Sequence, residues 1–386
     1  MLNGEPFQLK GINWSGFETA TNVLDGMWPG ANNMNNILGE MRVLGFNALR
    51  IPLSLDLALA PKTVIEDTAC DLCGGQLSWK VLDDLFDLAA AYGILILLDM
   101  HRLDKVTQSN LWYDETHTEA DFIKGWVAIL TKFGGKANLL GIDVKNEPQG
   151  ECTWGTGNKL TDWNLAAERI VKGIVAKVPT YSKLIFVEGT ASDFQAQQPP
   201  ANSVAPADMA YYKFAGQNLD GVKTNPIDFG DPALNKLLVY SPHVYGPDVF
   251  AQPYFAAANF PKNMAAIWDL QMGFLKQATG SAVVTGEWGG NFLGDDLMWA
   301  TAWTSYLVDK CFNDNFFWVI NPNSGDTGGL FAEDWMTVVP LKAALMKKVQ
   351  PNPSAFTTAI TPRGACLNYG KPVCPFVPAA TAAAGL

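Results

Sequence analysis

Charge is scarce in this chain: Asp, Glu, Lys and Arg make up 17% of its 386 residues, against roughly 25% in an average soluble protein. With 48% apolar residues beside that, a disordered chain is excluded, because disorder goes with high charge and little to bury. A basic surplus is missing as well. Lys and Arg number 27 against 38 Asp and Glu, a net charge of −11, and this argues against a nucleic-acid partner, which needs a basic footprint. No apolar run approaches the ~18 residues of a membrane-spanning helix, so no membrane partner is expected. The richest run, Ile94 to Leu98, has the length of a buried strand. Met1-Leu2-Asn3-Gly4-Glu5 lacks the charged and apolar regions of a secretory leader; a secreted form would already have lost one. Only three histidines occur, and none is placed to complete a zinc site with Cys70-Asp71-Leu72-Cys73. Neither a metal nor another cofactor is expected.

What is present is alternation. Short β-rich runs fall at Leu9–Trp14, Ala48–Pro52, Ile94–Asp99, Leu140–Lys145, Leu184–Glu188, Leu237–Ser241, Ala282–Gly286 and Phe316–Ile320. Between them lie amphipathic stretches at Met34–Leu44, Trp79–Tyr92, Phe122–Phe133, Trp163–Val175, Asn263–Lys276 and Asp296–Lys310, with Val338–Val349 after the last strand. Met34, Ile37, Leu38, Met41 and Leu44, for example, make one stripe at helical spacing. Alternation of this kind predicts an α/β fold with a parallel sheet, eight units closing into a (β/α)8 TIM barrel. One catalytic domain is expected over 1–349, with a coil-like C-terminal tail over 350–386 that packs on the barrel or frays. The stretch from Gly189 to Lys236 holds several Pro and Gly and no convincing helix; a substrate-facing loop fits it better than a linker.

In such a barrel chemistry gathers where strands end. Six of the eight predicted strands end in polar or titratable residues: Arg50, Asp99 with His101, Asn146 with Glu147, His243 with Tyr245, Glu287, and Trp318 with Asn321. Strands four and seven face each other across the mouth, so Glu147 and Glu287 can oppose one another. Two carboxyl groups roughly 5–5.5 Å apart are what hydrolysis of a β-glycoside with retention requires. One attacks the anomeric carbon; the other protonates the departing oxygen and then activates water.

Four segments in chain order now carry a resemblance: Lys10-Gly11-Ile12-Asn13-Trp14-Ser15-Gly16-Phe17-Glu18-Thr19, Asp143-Val144-Lys145-Asn146-Glu147-Pro148, Val284-Thr285-Gly286-Glu287-Trp288-Gly289 and Asn321-Pro322-Asn323-Ser324-Gly325-Asp326-Thr327-Gly328-Gly329. From about Asn3 to Val349 the chain resembles the glycoside hydrolases of family 5, clan A, and within them the secreted endo-β-1,4-glucanases. The resemblance implies Glu147 as acid/base and Glu287 as nucleophile. It also implies supporting roles for Arg50, His101, Asn146, His243, Tyr245 and Trp318. Arg50 would keep Glu287 ionised, Tyr245 would orient it, and Asn146 would bond the sugar 2-hydroxyl. The two histidines would bond sugar hydroxyls or tune Glu147. Glu147 must begin protonated, so apolar surroundings and the neighbouring Glu287 are expected to raise its pKa.

A flat β-1,4-glucan presents apolar C–H faces, so its cleft wants aromatic platforms. Trp318 is the first candidate; Trp28 and Trp112 match cleft positions of the resembling enzymes, and Phe214 falls near where relatives carry tryptophan. The implied partner is a β-1,4-glucan, acted on by a secreted, extracellular monomer. A β-mannanase or a xyloglucan-cleaving enzyme would share the catalytic residues and differ only in cleft contacts. A non-catalytic carbohydrate-binding barrel would have no use for the intact pair. Of the six cysteines, Cys366 and Cys374 are best placed to bridge. Cys70, Cys73 and Cys152 fall on the catalytic face and Cys311 near the opposite one, so a Cys152–Cys311 bond is not expected. Either the tail climbs the barrel or one thiol on each face stays free.

Overall fold

A computed structural model describes residues 6–191, 203, 205–209 and 212–357, together with the backbone of 367–368 and 371–372. Eight parallel strands alternate with helices, in the order β1 (Lys10–Asn13), β2 (Ala48–Ser54), β3 (Leu95–Arg102), β4 (Leu139–Asp143), β5 (Leu184–Val187), β6 (Leu238–Tyr240), β7 (Ala282–Val283) and β8 (Asn315–Phe317). Successive strands pair from β1 through β7, and β1 pairs with both β2 and β8. The ring closes beyond β7, where Thr285 bridges Asn315 in parallel and its carbonyl accepts from the Phe316 N–H at 2.8 Å. All eight strands lie where the sequence puts them, within a few residues at either end.

Side chains of a strand alternate between its two faces, and here the alternation builds the site. Ala48, Leu97, Phe186, Val239, Val284 and Phe316 form one buried apolar cluster drawn from strands all round the ring. Only the barrel interior can bring them together. Two residues further along the same faces stand Arg50, Asp99, Glu188, Ser241, Gly286 and Trp318. The interior is thus apolar at its floor and polar at its mouth. Gly11 serves that floor, since a Cβ there would sit 2.2 Å from the Phe316 ring. The other strand face packs Leu49, Ile96 and Leu98 beneath the helices in a second, larger core.

Helices cover the sheet with the stripes that periodicity predicts. Ser78–Ala91 buries Val81, Leu82, Leu85, Phe86 and Ala89. The helix expected from Phe122 begins at Glu119 instead, because Thr118 and Asp121 form a reciprocal capping box ahead of the first apolar residue. The single helix expected over Asn263–Lys276 is broken. Met264–Trp268 and Leu275–Thr279 flank a π turn at Asp269–Gly273, where the Tyr306 hydroxyl donates to Asp269 Oδ1 at 2.9 Å and lies 2.3 Å from where a Gly273 Cβ would stand. Between β5 and β6 the described residues hold only short helices, Pro206–Met209, Asp220–Lys223 and Pro232–Asn235.

The start of the tail crosses the barrel floor. The Ser354 N–H donates to the Gln8 carbonyl at 2.9 Å, and Phe356 joins the interior cluster. Cys366 and Cys374 lie outside the described residues. Cys70 and Cys73, weighed for zinc on sequence, are bonded to each other, with Cα atoms 5.2 Å apart. Cys152 is a buried free thiol and Cys311 an exposed one. Among the described residues no helix is long and apolar enough to cross a membrane.

Candidate active site

Arg50 is the centre of the polar mouth. It is fully buried, and its guanidinium meets four carboxylates: Nε donates to Asp143 Oδ2 at 2.9 Å, Nη1 to Glu287 Oε1 at 2.6 Å, and Nη2 lies 3.1 Å from both Asp99 Oδ2 and Glu188 Oε1. Nη2 also donates to Asn146 Oδ1 at 2.9 Å. A guanidinium only donates, so this bond fixes the Asn146 amide with its NH2 turned the other way. That group faces His101 Nε2 at 3.5 Å. His101 Nδ1 sits 2.6 Å from Asp99 Oδ2, and burial holds the ring well below its ordinary pKa. His101 is therefore neutral, with its proton on Nδ1 toward Asp99 and a bare Nε2 toward Asn146.

Glu287 is held at both oxygens, Oε1 by Arg50 and Oε2 by the Tyr245 hydroxyl at 2.6 Å. Burial raises its pKa despite the charges of His243 and Arg50. Glu147 arrives by a different device. Backbone N–H groups of Val144 and Asn146 still donate to the neighbouring strands, at Phe186 O and Met100 O. At Glu147 the chain turns into the left-handed region, φ +47°, and its N–H leaves the sheet. His243 lies between the two glutamates, with Nδ1 3.1 Å from Glu147 Oε1 and 3.5 Å from Glu287 Oε2. One oxygen of each glutamate and a His243 ring nitrogen all fall within 4.8 Å of one another.

The expected rise in the Glu147 pKa is not found. Burial does push it up, but hydrogen bonding and charge from His243, with the charge of Arg50, hold it below the ordinary carboxylate value. His243 itself is driven well above its ordinary value by Glu188 and Glu287. The sequence reading supposed apolar surroundings; the actual neighbour is an imidazolium. His243 Nδ1 and Glu147 Oε1, 3.1 Å apart, are placed to share a proton.

Two groupings, Asp143–Glu188–His243 and Glu147–His243–Glu287, are close enough to hold a metal ion. Arg50 already occupies oxygens of Asp143, Glu188 and Glu287, so the positive charge a metal would supply is supplied by a side chain.

Of the aromatic candidates, Trp318 is half-buried and stacks flat on His101, with centroids 5.6 Å apart; its Nε1 donates to Ser324 Oγ at 3.2 Å. Trp28 is half-buried edge-on to Trp335. Trp112 is a correction. It is 0% exposed, bonded through Nε1 to Glu119 and packed on Trp163, so neither face is open to a sugar. Phe214 is buried against Tyr245, whose ring it braces. Lys145 is fully buried and bonded to the Ser109 carbonyl.

Sequence reasoning noted Asp99 at a strand end but gave no role to three carboxylates of the cluster. Asp99, Asp143 and Glu188 are buried, and burial pushes them up to about 6, about 7 and about 8. A signal for them existed: Asp99 shares a strand face with His101, and Glu188 ends strand five as Glu147 follows strand four. Each pKa is raised above its unfolded value, as are those of Glu18, to about 7, and His243. Their contribution to stability is fully present below the unfolded values and is lost as pH rises through the folded ones. The melting temperature is accordingly expected to fall between about pH 5 and pH 8 in scanning calorimetry. A rise over that window would mean these groups are ionised in the fold.

Comparison with known proteins places this geometry. A family model described as Cellulase (glycosyl hydrolase family 5) matches residues 2–324. The chain is 40% identical over 352 residues to the major extracellular endoglucanase of Xanthomonas campestris, covering 89% of this chain and 68% of that protein. It is 35% identical to an endoglucanase of Paenibacillus polymyxa, over 87% of this chain and 81% of that one. Among solved structures, an endocellulase from Pyrococcus horikoshii in complex with cellotetraose superposes with a TM-score of 0.80 at 37% identity, covering 89% of this chain and 93% of that one.

Proposed function

The chain belongs to the cellulases of glycosyl hydrolase family 5, and on that premise we propose that it is an endoglucanase cutting internal β-1,4-glucosidic bonds by double displacement, with Glu287 as nucleophile and Glu147 as acid/base. The observation that carries the residue assignment is the separation of the two carboxylates. Oxygens within 4.8 Å fit the roughly 5–5.5 Å of a retaining pair and not the roughly 6.5–9.5 Å of an inverting one.

The first displacement uses the Glu287 carboxylate as the attacking nucleophile. One of its oxygens bonds to the anomeric carbon while the glycosidic C–O bond breaks, and Arg50 and Tyr245 fix the angle of approach. Glu147 delivers the proton shared with His243 to the departing 4-oxygen. A water then enters, gives its proton to Glu147 and attacks the anomeric carbon, releasing Glu287. The outward NH2 of Asn146 is oriented to donate to the 2-hydroxyl, a bond that strengthens toward the oxocarbenium-like transition state. Trp318 offers a ring face to the sugar beside His101.

The same reading covers residues 1–349 as one catalytic unit, working as a secreted monomer. The Cys70–Cys73 bond suits an oxidising compartment. Substrate preference separates this from the mannanase and xyloglucanase alternatives. Carboxymethyl cellulose should be cleaved fastest, with viscosity falling far ahead of reducing-end release. Negligible cellulose cleavage beside fast mannan cleavage would overturn the assignment.

A further inference from the structure

Glu147 has a backbone problem that its role does not explain. A left-handed φ is unfavourable for any residue with a Cβ and persists only where the surroundings over-determine it. Its N–H, turned away from the sheet, would also be orphaned inside the protein. Glu188 meets both needs. Its Oε2 accepts from the Glu147 N–H at 2.8 Å. Its Oε1 lies 3.1 Å from His243 Nε2, the far side of the imidazole whose Nδ1 touches the Glu147 carboxylate. One buried carboxyl therefore meets Glu147 twice: by a hydrogen bond at the main chain, and at the side chain through an ion-pair contact with His243, whose Nε2 is not aligned for a hydrogen bond.

The surroundings hold Glu188 itself in place. Trp163 Nε1 donates to its carbonyl at 3.0 Å. Gly216 passes over its head with no side chain, and a Cβ there would stand 2.6 Å from Oε2. Arg50 Nη2 supplies a charged donor at 3.1 Å, but Arg50 keeps Asp99, Asp143 and Glu287 when Glu188 is gone. Loss of Glu188 therefore falls on Glu147 and His243, not on the nucleophile.

We propose that Glu188 is a positioning residue, whose carboxyl holds the left-handed turn at Glu147 and the far side of His243 so that the acid/base reaches the leaving oxygen. This rests on the assignment of Glu147 given above. The test compares the full chain with its Glu188→Ala, Glu188→Asp and Glu188→Gln forms on two substrates. Cellopentaose needs its leaving oxygen protonated; 2,4-dinitrophenyl β-cellobioside does not. Glu188→Ala should lose at least ~100-fold in kcat on cellopentaose, the scale of general-acid catalysis, with KM within about threefold. The pre-steady-state burst of dinitrophenolate should stay within about fivefold of the parent. Glu188→Gln keeps an oxygen for the Glu147 N–H but turns its NH2 toward His243 and Arg50, so it should recover part of the loss. Glu188→Asp is too short to reach and should behave as Ala does, which preserves the test if the Ala form does not fold.

Equal losses on both substrates, or a Gln form as impaired as Ala, would overturn the proposal. Glu147→Gln run alongside separates the two levels of the argument. If it shows no dependence on the leaving group, the acid/base assignment fails. If it does while the Glu188 forms do not, only the positioning role fails.

Discussion

Replacing Glu287 with glutamine is expected to lower kcat on cello-oligosaccharides by at least about 10⁴-fold, as loss of a covalent nucleophile does, with oligosaccharide binding retained. The amide keeps the size of the carboxyl; its oxygen can still accept from Arg50, and its NH2 can donate to the Tyr245 hydroxyl oxygen, 2.6 Å from the present Oε2. It removes the negative charge that attacks the anomeric carbon. The fold should survive, because Arg50 keeps three other carboxylates within 3.1 Å. Circular dichroism and binding of cellotetraose by calorimetry check the first half; product formation by chromatography checks the second. Reducing-end release that persists undiminished would show that another group is the nucleophile.

Glu147→Gln is expected to lose less, and selectively. General-acid help contributes on the order of 10²–10⁴-fold, and only where the leaving oxygen is a poor one. Cellopentaose cleavage should fall by that factor. Dinitrophenyl cellobioside should still form the glycosyl-enzyme quickly and then stall, since no base remains to activate water. Azide, a nucleophile that needs no base, should restart turnover and appear bonded to the sugar. The geometry adds a reason for a clean result. His243 touches both glutamates, so its imidazolium stays paired with Glu287 when Glu147 is neutralised.

The barrel was legible in the sequence because its strands are buried and its helices striped. Ile94 to Leu98 could be read as a strand without any neighbour, and the run of polar residues at strand ends marked the mouth. Boundaries that depend on a cap were less visible: Thr118 and Asp121 extend a helix ahead of its apolar stripe. The π turn at Asp269 answers a hydroxyl from Tyr306, thirty-odd residues away, and no local pattern encodes it.

The site was legible in its first row and not in its second. Glu147, Glu287, Arg50, Asn146, His101, His243 and Tyr245 converge as a sequence of strand ends suggests. What sequence cannot give is the company each keeps. The pKa direction at Glu147 turned on a buried imidazolium 3.1 Å from its carboxylate, and the distance depends on two strands far apart in the chain. Trp112 has the right loop and the wrong facing, packed onto Trp163 rather than open to the cleft. Asp99 and Asp143 are partners in adjacent strands, and Arg50, ion-paired to both, offsets their charge. Strand five ends in Glu188, which belongs to none of the four motif segments, so the sequence alone gives it no role.

The stereochemistry of the first product tests the central geometry most directly. Hydrolysis of cellopentaose followed by proton NMR in the first minutes, before mutarotation, reports which anomer leaves the enzyme. Two carboxylates this near to each other predict that the β-anomer appears first and the α-anomer only as solution equilibrium is reached. An α-anomer formed first would mean a single inversion by water, and the two glutamates would not be working on one anomeric carbon in the way described.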